Sequence, residues 1–207
     1  SDEMDTDAFM SLIKLMWQEP DALCMPSNIW TSHNAAAFQI ISVMNYIKYF
    51  PEFSDTATWE ASVQNRLSNF ASEMTNDDGT YVEATSGYDI SVLGTFTNLY
   101  KTAKELGITI TQDFEDGYKA YAKAEMDLTR PDGNQWDWGD GGASATRPTI
   151  KGVADALGEN GPLRYFGTNG AAGTVPEYTS VFYPAGKLAS LRTGWDANSV
   201  SAFIIGR

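Results

Sequence analysis

The sequence predicts a mainly α-helical chain that ends in the start of an antiparallel β-domain. Three observations predict it: apolar stripes at helical spacing recur from Phe9 to Tyr121, the texture turns glycine-rich from Gly139, and strand-favouring runs follow Pro176. With 207 residues, 43% of them hydrophobic, the chain can bury a real core and sits near the size where one domain gives way to two. Residues 1–175 are therefore expected to form a partial helical domain, and residues 176–207 the first strands of a truncated β-sandwich.

Each element has its own signal. Phe9, Leu12, Ile13 and Met16 follow the cap-competent pair Asp5-Thr6, which predicts a first helix from about Asp7 to Trp17, closed by Pro20. Ala37, Ile40, Ile41, Met44 and Ile47 mark a second helix that must end before Pro51, with His33 and Asn34 at its start. Trp59, Val63, Leu67, Phe70 and Met74 step by three or four behind Asp55 and predict a third, ended by Asn76-Asp77-Asp78-Gly79. Leu93, Phe96, Leu99, Ala103 and Leu106 give a fourth that stops at Gly107. A fifth, around Phe114, Tyr118 and Tyr121, runs out before Arg130-Pro131-Asp132-Gly133. The segment from Gly139 reads as a long loop carrying one short helix, Ile150 to Leu157. Strands are expected at Val181 to Tyr183, Leu188 to Arg192 and Val200 to Ile205. Antiparallel helix pairs joined by short aromatic-rich loops fit an incomplete α/α toroid as well as a bundle. Two or three strands make no stable sheet alone, so a larger β-domain is expected to follow Arg207.

Composition excludes several functions. No run of ~18 apolar residues is present to span a membrane, and the N-terminus lacks the basic and apolar regions of a signal peptide. A single cysteine, Cys24, excludes an intramolecular disulfide and a cysteine-based zinc cluster. One histidine cannot build a histidine-rich metal site, and no cofactor motif occurs. The net charge of −13 repels a phosphate backbone, so nucleic acid is not an expected partner. The same sign counts mildly against a polyanionic sugar unless a local cleft overrides it.

Three loop clusters carry the residues suited to chemistry. Asn28 to Asn34 places Trp30, His33 and Asn34 beside a helix N-terminus, which suits sugar stacking and carboxylate binding. It also suits a plain N-cap by Ser32 or Asn34, with Trp30 as a core anchor. Asp78 to Asp89 contains Glu83 and places Tyr88 at the start of the fourth helix. Tyr88 is a proton-transfer candidate, although a phenol's ordinary pKa of ~10 must be lowered by nearby positive charge; a core tyrosine is the plainer reading. Gln135 to Gly142 alternates Trp136 and Trp138 with Asp137 and Asp140, as a sugar platform with polar hooks, a glycosidase carboxylate pair, or a rigid loop of capped turns. No serine context supports a Ser-His-Asp triad through His33.

The order of these pieces resembles the helical toroid of heparinase II/III-like polysaccharide lyases. The resemblance rests on Phe50-Pro51-Glu52-Phe53, then Trp59, then Asp78-Gly79-Thr80-Tyr81-Val82-Glu83 with Tyr88, then Pro131-Asp132-Gly133 and Gly139-Asp140. The tail, Phe182-Tyr183-Pro184-Ala185-Gly186 and Leu191-Arg192-Thr193-Gly194-Trp195-Asp196, resembles the first strands of that family's β-domain. The resemblance implies β-elimination on a uronic acid-containing polysaccharide. The chemistry requires a neutralised carboxylate, removal of the proton α to it, and protonation of the leaving oxygen. By residue it implies Asn34, or His33 if the register differs by one, as the carboxylate-neutralising group, and Tyr88 as the proton-transfer group. Trp30, Glu83, Trp136, Trp138 and Asp140 are the expected substrate-binding side chains.

The pattern departs from the family in three places. Asp89 and Ala35 stand where members often or sometimes carry histidine, and no histidine lies downstream of His33. The resemblance therefore places the remaining catalytic histidine beyond Arg207. It implies no cofactor for this chain, leaves room for a structural metal in the β-domain, and implies a periplasmic or extracellular location. A toroidal glycoside hydrolase using Glu83, Asp137 or Asp140, and a non-catalytic glycan-binding protein, are the rival readings.

Overall fold

The computed structural model describes residues 5–83 and 85–206. Among them are α1 (Thr6–Cys24), a 3-10 turn (Pro26–Asn28), α2 (Asn34–Tyr49), α3 (Thr56–Met74), α4 (Ser86–Leu106), α5 (Gln112–Leu128), α6 (Arg147–Leu157), α7 (Pro162–Gly167), and strands β1 (Ser180–Tyr183), β2 (Leu188–Arg192) and β3 (Ser201–Ile205). Helices two apart in sequence lie side by side: α1, α3, α5 and α7 form one row, and α2, α4 and α6 form another. Sequence neighbours such as α2 and α3, or α4 and α5, pack between the rows. This two-row order is that of an α/α toroid, here part of a ring, and distinguishes it from a simple bundle.

The two rows close over aromatic side chains. Phe70 of α3 and Phe96 of α4 meet at a 4.6 Å centroid distance, Phe96 stacks on Tyr118, and Tyr81 stacks on Tyr121 at 5.7 Å and 12°. Gly79, at φ 85°, ends the turn after α3, and a Cβ there would lie 2.8 Å from the Ala120 backbone on α5. Its place in the sequence is thus dictated both by the left-handed backbone and by the closeness of α5.

Boundaries differ from the sequence reading in instructive places. Helix α1 runs past Pro20 to Cys24, and Pro20 is its buried residue. Burial of the ring offsets part of the ~3 kcal/mol that a mid-helix proline costs. Of the apolar stripe of α1, Phe9 and Leu12 are exposed and Ile13 and Met16 half-buried. Asp55 precedes α3 as expected, yet its side chain makes no cap; it accepts a 2.6 Å hydrogen bond from the Trp17 indole instead, joining α1 to α3. The six-residue α7 lay in a stretch read as loop.

The strands form one antiparallel sheet in the order β1-β2-β3, with Tyr183 opposite Leu188 and Leu188 opposite Ile205. Hydrogen bonds fasten the sheet to the helices at two points. Asp78, in the turn after α3, accepts the backbone N–H groups of Ala185 (2.7 Å) and Gly186 (3.1 Å) at the tip of the β1–β2 hairpin. Asp127, at the end of α5 and 1% exposed, accepts the hydroxyls of Tyr178 (2.7 Å) and Tyr183 (2.6 Å) and the Lys123 ammonium (2.5 Å). Arg192 adds hydrogen bonds to the carbonyls of Asp127 and Thr129. Burial of Asp78 raises its pKa, but hydrogen bonds from Thr80, Gly186 and Ala185 outweigh that and hold it below the usual carboxylate value.

Candidate active site

Two loops meet at the N-terminus of α2. His33 is the N-cap: its Nδ1 accepts the Ala35 N–H at 3.1 Å, so the ring that read as a possible ligand also caps the helix. That bond leaves Nε2 facing outward, 3.7 Å from Glu83 Oε1. The backbone N–H of Asn34 donates to the same Glu83 oxygen at 3.2 Å. A free helix N-terminus attracts anions, and here Glu83, from the turn after α3, supplies one. The carboxylate thereby ties the loop leading to Tyr88 to the helix that carries Asn34. Trp30 stands 51% exposed with its ring edge-on to His33 at 5.0 Å, so it is not the core anchor of the plainer reading.

Tyr88 lies in the first turn of α4, five positions beyond Glu83, and is 41% exposed. It is not a core tyrosine. The third loop abuts this turn: the Trp138 carbonyl accepts both the backbone N–H (3.2 Å) and the hydroxyl (3.0 Å) of Ser86. A Cβ on Gly141 would lie 2.5 Å from the Gly87 nitrogen, so the glycines at both positions let the two backbones touch. The sequence clusters around Trp30, Glu83–Tyr88 and Trp136–Asp140 are therefore consecutive in space.

Their side chains are not equivalent. Trp136 stacks on Phe203 of β3 at 6.0 Å and 11°, and Trp138 meets the same ring at 5.8 Å. Both are half-buried cement between the helices and the sheet, whereas Asp137 and Asp140 are exposed. Among the described residues, no group of three His, Cys, Asp or Glu is arranged to hold a metal ion.

Sequence reasoning missed the support beneath Trp30. Gln39 accepts the Trp30 N–H at 3.0 Å and donates to the Asn28 carbonyl at 2.8 Å, and the buried Arg66 guanidinium donates to Gln39 at 2.9 Å. The signal was present, since Arg66 falls on the Val63–Leu67–Phe70 stripe, where a charge needs a reason.

The family model Heparinase II/III N-terminus matches residues 1–165, and the chain belongs to that family. It is 24% identical over 157 residues to the heparin-sulfate lyase of Pedobacter heparinus, a match covering 72% of this chain and 24% of that protein. Its fold resembles a solved heparinase III (TM-score 0.80, 20% identity, covering 96% of this chain and 33% of that one). It likewise resembles the heparan sulfate lyase HepC from Pedobacter heparinus (TM-score 0.76, 20% identity, covering 96% and 32%). The chain thus spans about a quarter to a third of the length of these relatives. No helix among the described residues is long and apolar enough to cross a membrane.

Proposed function

We propose that this chain is the toroid portion of a polysaccharide lyase that cleaves a uronic acid-containing glycan by β-elimination. The observation that carries the reading is the Glu83 bridge, which sets the N-terminus of α2, with His33 and Asn34, beside the loop that delivers an exposed Tyr88. In this reading the Asn34 amide, or His33 in its place, neutralises the uronate carboxylate, which acidifies the neighbouring C–H. Tyr88 takes part in the proton transfer that breaks the C–O bond to the leaving sugar. Trp30 offers an exposed ring face on which a sugar can stack, and the exposed Asp140 offers a polar hook on the loop that Trp136 and Trp138 pin to the sheet.

Residues 1–175 act as the toroid and residues 176–207 as the first strands of a β-domain that closes the cleft. The relatives' names point to heparan sulfate as the first substrate to try. The charge of −13 favours less sulfated stretches unless the remainder of the protein brings compensating cations. The protein acts outside the cytoplasm, where such glycans are found.

The test is ultraviolet absorbance during incubation of the full-length protein with a panel of uronic acid polysaccharides, because β-elimination creates a conjugated unsaturated uronate. A rise on one substrate is expected. New reducing ends without that rise establish a hydrolase instead, and saturable binding without either establishes a glycan-binding protein.

A further inference from the structure

Directly behind Tyr88, on the inward side of the same helical turn, lies a carboxyl pair that the proposed chemistry does not use. Asp89 of α4 and Glu125 of α5 are 6% and 5% exposed and line a small cavity of about 10 Å³ together with Gln135 and Trp136. That is close to the space one water needs. Among the described residues, neither carboxyl forms an ion pair with Lys, Arg or His. The titratable groups facing them are all acidic: Glu83 from the turn after α3, Tyr81 beside it, Tyr121 on α5, whose hydroxyl donates to the Asp89 carbonyl at 2.5 Å, and Tyr183 on β1.

Two carboxylates in such a place cannot both stay charged, because burial and mutual repulsion add. Either a proton or a cation must neutralise them. The cavity's polar atoms decide between the two. Gln135, 4% exposed, donates its Nε2 to Glu125 at 3.2 Å, which leaves its Oε1 without a partner, and the buried Trp136 Nε1 also lacks one. An unmet acceptor beside an unmet N–H donor fits a water, which accepts from Trp136 and donates to Gln135. A cation would sit against the positive end of the indole N–H.

We propose that Asp89 and Glu125 share a proton around one buried water, and that this pair is a positioning element holding the Tyr88 turn in register with the Trp136–Trp138 loop. The connections run from Asp89 to the cap of α4 through the Thr85 N–H (3.4 Å), and from Glu125 through Gln135 into the loop whose Trp138 carbonyl holds Ser86. The functional half of the proposal rests on the reading of Tyr88 as the proton-transfer residue. Burial, with Glu83 nearby, pushes Asp89 up to about 7, and burial beside Asp89 pushes Glu125 well above the usual carboxylate range. Both folded values are raised, so folding favours the protonated forms. The stability this confers is complete at low pH and is lost as pH rises from about 4 through about 7.

The experiment compares the full-length protein with Asp89→Asn and Glu125→Gln variants by thermal unfolding across pH 5 to 8 and by steady-state kinetics. Both amides preserve shape and hydrogen-bonding capacity while removing the proton. The expected result is a flatter pH dependence of Tm in both variants, with kcat lowered about tenfold, KM nearly unchanged and an altered alkaline limb of the kcat profile. An unchanged Tm slope overturns the shared proton. A flattened slope with wild-type kcat overturns the positioning role. A saturable rise of Tm with calcium chloride, present in the wild type and absent in Glu125→Gln, replaces the proton with a cation. If Tyr88→Phe keeps full turnover, the reading of Tyr88 falls, while the Tm slope still tests the shared proton on its own.

Discussion

The first turn of α4 has two faces, and they hold their acidic groups by opposite means. Toward solvent, the partly exposed Glu83, which also faces Asp89, receives the Asn34 N–H and lies near His33 and an open Trp30. Inward, Asp89 and Glu125 sit in a cavity with room for one water, with an amide and no cation. A carboxylate met by N–H donors can stay charged and remain near solvent, where a substrate reaches it. The inward carboxyls have one long N–H contact and one amide donor between them, too little to hold two buried charges, so they must hold a proton and act through rigidity. In the proposed reading the reactive group and its support are sequence neighbours, the exposed Tyr88 and the buried Asp89, on a single helical turn.

The sharpest way to break this comparison is Tyr88→Phe. If the outward face is the reactive one, turnover falls by about 10²- to 10⁴-fold. Stability should change by no more than ~0.5 kcal/mol, since the ring is 41% exposed and little packing is lost. Initial rates by absorbance and a thermal melt on the same preparation check both halves. A rate loss accompanied by a large fall in Tm would place Tyr88 with the supporting groups instead.

The second prediction probes the inward side where it reaches the sheet. Asp127→Ala leaves the Tyr178 and Tyr183 hydroxyls without their shared, fully buried acceptor and releases the half-exposed Lys123 to solvent. We expect a loss of roughly 3 kcal/mol or more, because each buried donor left unpaired carries its own desolvation cost. Chemical denaturation measures it, and a loss below ~1 kcal/mol would mean that the sheet is held chiefly by the Trp136–Phe203 stack and Arg192.

Much of the outward face could be read from the sequence, and little of the inward one. Helix stripes such as Trp59–Val63–Leu67–Phe70 and the three strands were legible because burial imposes a period. Asn34 and Tyr88 stand beside cap and turn signals in a recognisable order, which is why the sequence offers them as candidates. The Asp89–Glu125 pair was not, although Asp89 lies four residues before Leu93 and Glu125 four after Tyr121, on the buried stripes of their helices. A charge on an apolar stripe announces burial without naming its partner, since the partner comes from another helix. The double duty of His33, cap and candidate ligand, was hidden for a related reason: a cap is set by backbone angles, and Ser32 at φ 53° turns the chain so that His33 rather than its neighbours takes the position. The run of α1 past Pro20 was misread because local rules overstate a proline whose ring is buried.

The smallest effect expected is at Asp78, and its sign separates the two kinds of carboxyl. Hydrogen bonds from Thr80, Gly186 and Ala185 hold its folded pKa below the ordinary value despite burial. The stability it contributes is therefore present above about pH 4 and is lost as pH falls through the folded value, opposite to the Asp89–Glu125 pair. Asp78→Asn should cost about 1 kcal/mol at neutral pH by weakening its grip on the Ala185–Gly186 hairpin, and the cost should vanish in acid, where the wild-type group is itself protonated. Trp136 stacks on Phe203 of the same sheet and Trp138 meets that ring at a tilt, so their fluorescence is expected to report the loosening. A cost that persists unchanged to pH 2 would mean that Asp78 acts through shape alone, and that opposite protonation no longer distinguishes the groups clasping the sheet from the pair beneath Tyr88.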